Sequence, residues 1–350
     1  MNKYILAVLF SFFSGILLAQ PIGGENVYEF LTFSPSARIT ALGGNLISVS
    51  DDDVVLAALN PATLNIGMHN QMSFNHNFYV AGISTGYVAY GFHAEKLATT
   101  FHGGLQYMSY GTFDAADEFG QITGTFKASE YAFSVGAAHQ LYEKLTVGAN
   151  LKLITSQLED YNSFGAVADL GAYYQDTSGL FSMGLVLKNV GAQITTYNDD
   201  REPVPFDMQL GISRRLEHLP FRVSMTYHHL HQWNILYDDP NAEQSSIFLG
   251  EFQPQTENRF STFADNLFRH MIFSGEFLLG KKENLRIRVA YSHFQRQELN
   301  VENFRSLSGF SMGLGIKVNR FRVEFGKAFN HLAGGMSHLS ISTNLKEFRR

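Results

Sequence analysis

Alternation with a period of two, sustained over long stretches, is the feature that most constrains this chain. From Leu145 to Thr155, the residues Leu145, Val147, Ala149, Leu151 and Leu153 alternate with Thr146, Gly148, Asn150, Lys152 and Ile154. A strand points successive side chains to opposite faces, so one face is apolar and the other small or polar, with Ile154 the exception. Tyr131, Phe133, Val135 and Ala137 alternate in the same way with Ala132, Ser134, Gly136 and Ala138. Phe181, Met183, Leu185 and Leu187 alternate with Ser182, Gly184, Val186 and Lys188. Strands this long exceed the roughly five or six residues usual in soluble sheets, and about ten tilted residues are enough to cross a bilayer. The pattern predicts an all-β transmembrane barrel, apolar outside and polar within.

The N-terminus fits an exported protein. Met1 to Lys3 is short and basic, Tyr4 to Leu18 is almost wholly apolar, and Ala19 stands before Gln20. This reads as a secretory signal peptide over residues 1–19, cut between Ala19 and Gln20. The other account is a membrane anchor, for which the apolar run is short. The 350 residues include no cysteine, which excludes thiol chemistry, cysteine metal sites and disulfides. A closed strand ladder can hold an exported chain together without them. The net charge of −6 has the wrong sign for nucleic acid. Aromatic residues make up 14%, and no later apolar run is long enough for a membrane helix, which suits a barrel better than a helical membrane protein.

Residues 20–70 differ from the rest and are expected to form a plug in the lumen. Ser34 to Gly43 reads as a short helix with Ser36 near its cap, Arg38 and Leu42 within it, and Gly43 or Gly44 at its end. Asp51, Asp52 and Asp53 lead into a second helical turn over Val54 to Leu59, stopped by Asn60 and Pro61. Acidic residues are favourable at a helix start. The sharper account of the triplet, a calcium loop, lacks the spaced oxygen ligands and glycine of that motif.

From Gln71 onward the alternation gives fourteen antiparallel strands near 71–79, 84–92, 97–110, 130–140, 145–155, 164–175, 180–190, 205–215, 221–231, 271–279, 285–295, 308–318, 320–328 and 336–345, so residues 71–350 form the barrel. The charged residues Arg286, Arg288, Arg322 and Glu324 share their faces with Gly, Ser and Ala, as expected of a lumen packed against a plug. Links after even-numbered strands are short, and those after odd-numbered strands are mostly long: 111–129, 156–163, 191–204, 232–270, 296–307 and 329–335. Outer-membrane barrels have short periplasmic turns and long outer loops. An even strand count brings both termini to the periplasmic side, where the N-terminal segment can fold up into the lumen.

Three stretches invite a site. Gly309 to Gly313 matches the G-x-S-x-G pattern around Ser311, but that motif works at a sharp strand-to-helix turn, and here alternation runs straight through. No catalytic residue and no cofactor are expected. His229 and His231 would share one face of a strand running to 231, as zinc ligands can, but no acidic or cysteine partner stands at a recognised spacing, so no metal site is assigned. An aromatic girdle that includes Trp233 is the plainer account. The outer loop 232–270 carries Trp233, Ile235, Tyr237, Phe248, Phe252, Phe260, Phe263 and Leu267, too many large apolar residues for a disordered loop. Phe260, Phe263 and Leu267 recur at helical spacing. Such a helix either caps the lumen or docks a partner outside the cell, and the spacing does not choose between them.

Ser36 to Arg38, Ala41 to Gly44, the acidic stretch at Asp51 and Asn60 to Ala62 together resemble the N-terminal signature of the PorV/PorQ outer-membrane proteins. So do Gly111 to Phe113, Ser129 to Tyr131, Leu145 to Gly148, and Lys152. Those proteins serve the type IX secretion system of Bacteroidetes-type Gram-negative bacteria and are related to FadL-like fatty-acid-transporter barrels of fourteen strands. Length and the 232–270 loop favour a PorQ-like member. The resemblance implies a non-enzymatic component of the surface attachment complex, embedded in outer-membrane lipid and lipopolysaccharide, with PorZ, PorU and PorV as partners. A FadL-like transporter of a hydrophobic small molecule is the alternative. The chain departs from many outer-membrane barrels in ending Phe348, Arg349, Arg350 rather than on an aromatic residue.

Overall fold

The computed structural model describes residues 26–79, 82–235, 259–299, 306–329 and 335–348. Fourteen antiparallel strands close into one barrel in sequence order, sealed by pairing of the first with the last. They are β1 Gln71–Phe78, β2 Ser84–Ala94, β3 Thr99–Ala116, β4 Ile122–Tyr142, β5 Leu145–Leu158, β6 Tyr161–Gln175, β7 Phe181–Thr195, β8 Asp207–Arg215, β9 Phe221–Tyr227, β10 Met271–Leu279, β11 Leu285–Ser292, β12 Phe310–Val318, β13 Phe321–Ala328 and β14 Met336–Asn344. Closure leaves no unpaired edge, which is the condition for strands to cross lipid.

The two faces divide as the alternation requires. Phe133, Val135, Leu151, Leu153, Phe325 and their like stand exposed on the outside, while Ser134, Asn150, Lys152, Arg288 and Glu324 are buried within. A soluble protein could not leave such a band of large apolar side chains uncovered. Lipid covers it here.

The wall is lopsided. β3 to β7 run 14 to 21 residues, whereas β8 to β14 run 7 to 9. The segment 111–129, expected as a loop, is therefore mostly hairpin that rises past the bilayer at the loop end. A bulge between Ser109 and Gly111 swaps the faces of the β3 extension, so Phe113 pairs with Phe126 on the lumen side. Two strands stop three or more residues before their expected ends. β9 stops at Tyr227 because His229 takes a positive φ of 54°. β11 stops at Ser292, whose hydroxyl accepts from Gln295 N–H and caps the helix α3 (His293–Glu298).

Residues 26–70 cross the whole lumen. At the loop end Val27 N–H donates to Pro203 O and Tyr28 meets the Ser163 hydroxyl at 2.5 Å. At the turn end Asn70 N–H donates to Gly91 O. Between them lies helix α1 (Ala37–Ala41), capped by Ser36 and closed by Gly43 and Gly44 at φ 84° and 92°. Three 3-10 turns follow at Val54–Ala58, Pro61–Thr63 and Ile66–Met68, each with a side-chain cap from Asp53, Asn60 or Asn65. Ile39, Leu46, Ile47, Val55 and Leu56 form the core with Tyr87, Ala89 and Val186 of the wall. Ile154, the exception in the β5 pattern, is buried against Tyr28 and Phe30. Its apolar side chain faces inward because the lumen is filled with protein, not water.

Candidate functional site

Arg38 stands at the centre of the lumen, wholly buried on α1. Its guanidinium donates to both oxygens of Asp51 at 2.9 and 2.7 Å, to Asp53 at 3.2 Å, and to Glu276 of β10 through two bonds of 3.2 Å. Glu276 also takes Arg222 at 3.0 Å and Arg288 at 2.8 Å, and Arg288 continues to Glu324 at 2.7 Å. Asp52 is held by Arg322 at 2.8 Å. The acidic triplet is thus more than a helix start. Asp53 is the cap, accepting from Val55 N–H at 3.1 Å, while Asp51 and Asp52 bind the plug to β9, β11 and β13. Burial acts to raise the Asp51 carboxyl, but the Arg38 guanidinium, with Arg222 and Arg286 behind it, holds it well below its ordinary 3.8.

A depressed carboxyl contributes stability that is present above its ordinary value and lost as pH falls through the lowered one. The plug is therefore expected to hold from neutral pH down to the ordinary carboxylate range and to loosen only below it. Ionic current through reconstituted barrels, followed against pH, checks this; opening already at about pH 5 contradicts it.

Asn60 is a second anchor. Its Oδ1 accepts from Ala62 N–H at 3.0 Å, and its Nδ2 donates to Ile47 O at 2.9 Å and Ala172 O of β6 at 3.3 Å. Loss of these buried bonds in Asn60→Ala costs about 1–3 kcal/mol. Asn60→Asp keeps the cap yet sets a carboxylate against two carbonyl oxygens, so it should melt lower still in detergent than Asn60→Ala. Equal melting of the two variants contradicts that reading of the site.

Above the plug, at the loop end, lies a cavity of about 340 Å³. Phe33, Phe206, Ile272, Phe294 and Met336 give it apolar walls, and Lys188, Asp207, Gln209 and His228 add polar groups. A second hollow of about 470 Å³ lies against Tyr110, Phe113, Phe126, Leu158 and Tyr161, on the lumen side of the raised hairpins. There the rings of Phe113 and Phe126 stack at 5.3 Å.

The other expected sites fall as follows. His229 and His231 lie beyond the end of β9, not on a strand face, and among the described residues no group of three or more His, Cys, Asp or Glu is placed to hold a metal. Burial, reinforced by His229 beside it, pushes His228 down to about 3; its Nδ1 lies 2.5 Å from Nδ1 of His229. Ser311 is the second residue of β12, buried between Ala290 and Ala328, and the strand runs on from it to Val318 with no strand-to-helix turn to expose its hydroxyl. The expected amphipathic helix is α2 (Arg259–Arg269). Phe263 packs on Trp233 with ring centres 5.2 Å apart, and Asn266 donates to Trp233 O at 2.6 Å. Trp233 and Phe263 remain about half exposed, Leu267 is partly covered, and Ile235 is buried. Tyr237, Phe248, Phe252, the side chain of Phe260, and the Ala19–Gln20 cleavage position lie outside the described residues. Sequence reasoning missed Lys188 and Gln209 as cavity residues; they looked like ordinary members of a polar face.

No family model matches this sequence, and no curated protein matches it. Among solved structures, the toluene transporter TodX of Pseudomonas putida aligns with a TM-score of 0.50 at 12% identity, over 89% of this chain and 96% of that one. A deltaS2 mutant of the TodX monoaromatic hydrocarbon channel gives 0.52 at 14%, over 90% and 98%. A FadL homologue of Pseudomonas aeruginosa gives 0.47 at 9%, over 89% and 98%. The chain shares the fold of TodX. This agrees with the barrel architecture expected from the sequence and leaves the PorV/PorQ resemblance as an expectation.

Proposed function

We propose that this barrel is a passage for a small, largely apolar molecule across the outer membrane, entered from the loop end. The cavity above the plug carries the reading. Its volume of about 340 Å³ lies in the range of small-molecule sites, and its make-up of apolar walls with a few polar groups is the usual one for such sites. The second, aromatic hollow on the raised hairpins lies on the same lumen-facing side. TodX, which shares the fold, is a toluene transporter, and this supports the class of cargo. The test is uptake of labelled toluene by cells of a Gram-negative host expressing the chain. The parent should accelerate uptake severalfold, and Ile272→Trp, which fills the cavity, should abolish the gain. Uptake no faster than in cells without the protein sinks the reading.

A second reading is favoured by the half-exposed Trp233 and Phe263 and by exposed Phe268, all at the loop end. Buried aromatic anchors commonly dominate protein interfaces. With the PorV/PorQ resemblance, they support docking of type IX secretion partners such as PorZ. Phe263→Asp should then abolish co-purification of PorZ with the barrel. Unchanged surface attachment of signal-domain cargo after deletion of the chain removes this reading.

A further inference from the structure

At the loop end of β13, β14, β1, β2 and β3, the lipid-facing side of the wall carries a row made mostly of hydrogen-bond donors. Lys327 stands opposite Ser337, Ser337 opposite Phe78, Phe78 opposite Ser84, and Ser84 opposite Ser109. These residues share the outer face with exposed Phe74, Phe78 and Phe325. One step nearer the middle of the bilayer, the same register aligns Phe325, Leu339, His76, Gly86 and Tyr107.

The lower row is held in place. His76 Nδ1 lies 2.7 Å from the Tyr107 hydroxyl although strand β2 runs between them. The glycine of β2 opens that reach, since a Cβ at Gly86 would lie 2.4 Å from the Tyr107 ring. Phe78 packs edge-on against the imidazole with ring centres 4.5 Å apart. His76 is only half-buried, and among the described residues its Nε2 has no protein partner. The Lys327 ammonium donates to Ser337 Oγ at 3.0 Å and Gly335 O at 3.3 Å, both neutral. Among the described residues no carboxylate lies within 4.0 Å of it. Residues 71–94, 97–113, 310–318 and 325–346 contain no Asp or Glu at all. The nearest acids along the flanking strands, Glu324 of β13 and Glu130 of β4, are buried on the lumen side. The outer face of this sector therefore offers a cation and several donors but no anion. A lysine is tolerated on the lipid side at the edge of the hydrocarbon, where its stem covers apolar surface and its head meets the head groups.

We propose that this edge of the wall holds the phosphate of an outer-leaflet lipid. Lys327 and His76 Nε2 bind oxygens of the phosphate, and the acyl chains run down over Phe325, Leu339 and Phe74. Ser337, which holds the ammonium, and His76 are diagonal neighbours, roughly 7–8 Å apart at the backbone, close enough to serve two oxygens of one group. The phosphate selects the tautomer in which Tyr107 O–H donates to Nδ1 and Nε2 carries the hydrogen. Bonds from an ammonium to phosphate are charge-assisted and strong. The lipid that meets the loop ends of an outer-membrane barrel is a phosphorylated glycolipid, so the ligand is present where the donors point. This goes beyond the passage reading and is independent of it, because no group of the lumen takes part.

Native mass spectrometry of the full-length chain in mild detergent, offered equal amounts of bis-phosphorylated lipid A and its fully dephosphorylated form, tests it. The parent should retain the phosphorylated lipid in preference by about tenfold. Lys327→Gln should remove most of that preference, and Lys327→Arg should keep it. Gly86→Ala, which pushes the Tyr107 ring off His76, should weaken it while the protein still runs as a heat-modifiable barrel. Arg214→Gln is the control: it removes an exposed cation from the same face at the turn end of β8, and should behave like the parent. Inorganic phosphate in large excess should not strip the bound lipid, because the chains also hold it. Equal retention of the two lipids by the parent overturns the proposal. So does an equal loss in Lys327→Gln and Arg214→Gln, which marks unspecific charge attraction, or displacement by inorganic phosphate, which marks a site for the free anion.

Discussion

Replacing Arg38 by methionine is expected to turn a closed barrel into a conducting one. Methionine keeps much of the side chain's bulk but removes the cation shared by Asp51, Asp53 and Glu276. Glu276 still has Arg222 and Arg288, and Asp51 keeps Arg222 at 3.4 Å. Asp53 loses its guanidinium and remains mostly buried. Breaking a buried ion pair from one side costs about 3–5 kcal/mol, a large share of what holds 45 residues of plug against the wall. The parent should be silent in a planar bilayer, and Arg38→Met should show discrete current steps while still running as a heat-modifiable barrel. Arg38→Lys should fall between them, because an ammonium cannot fork to two carboxylates as a guanidinium does. A closed Arg38→Met with unchanged melting refutes the view that this network retains the plug.

The second large effect comes from the wall. Gly184 of β7 faces the plug so closely that an added Cβ would lie 2.1 Å from Ile47 O, and on β13 a Cβ at Gly326 would lie 2.2 Å from Ala37 O. Both obstacles are backbone, so no rotamer change relieves them. Gly184→Val or Gly326→Val must push the plug aside, at a cost of at least the ~1–3 kcal/mol of ordinary overpacking. Gly103→Val is the control: nothing lies within 4 Å of its Cβ position. The first two should conduct and melt early, and the third should match the parent. Since Gly184→Val and Arg38→Met displace the same segment, their combination should open the barrel little further than the stronger of them alone.

Most of the architecture was written in the alternation. Strand number, the lumen side of Arg288 and Glu324, and the short turns all follow from a period of two and from where it breaks. Ile154 and Val186 were visible as apolar residues on the polar face, and each touches the plug. The raised β3–β4 hairpin was not legible. Its strands pass through the bulge at Gly111, beyond which Thr112, Asp114, Thr123 and Thr125 carry no lipid-facing pattern. The end of β9 was hidden as well, since a positive φ at a histidine leaves no mark in the sequence. The acid triplet was noticed, but its partners were not. Arg222, Arg286 and Arg322 lie more than 160 residues further along the chain, and only barrel closure brings them to Asp51 and Asp52.

The plug precedes β1, and the cylinder is sealed by the Gln71-to-Asn344 ladder between β1 and β14. With the plug threaded from rim to rim, the last seam is expected to zip around a core already seated inside. That order makes the N-terminal segment a template on which the staves are gathered. It also means that a plug loosened by mutation stays tethered at Asn70 and can swing back, so an opened variant should flicker between states instead of staying permanently ajar.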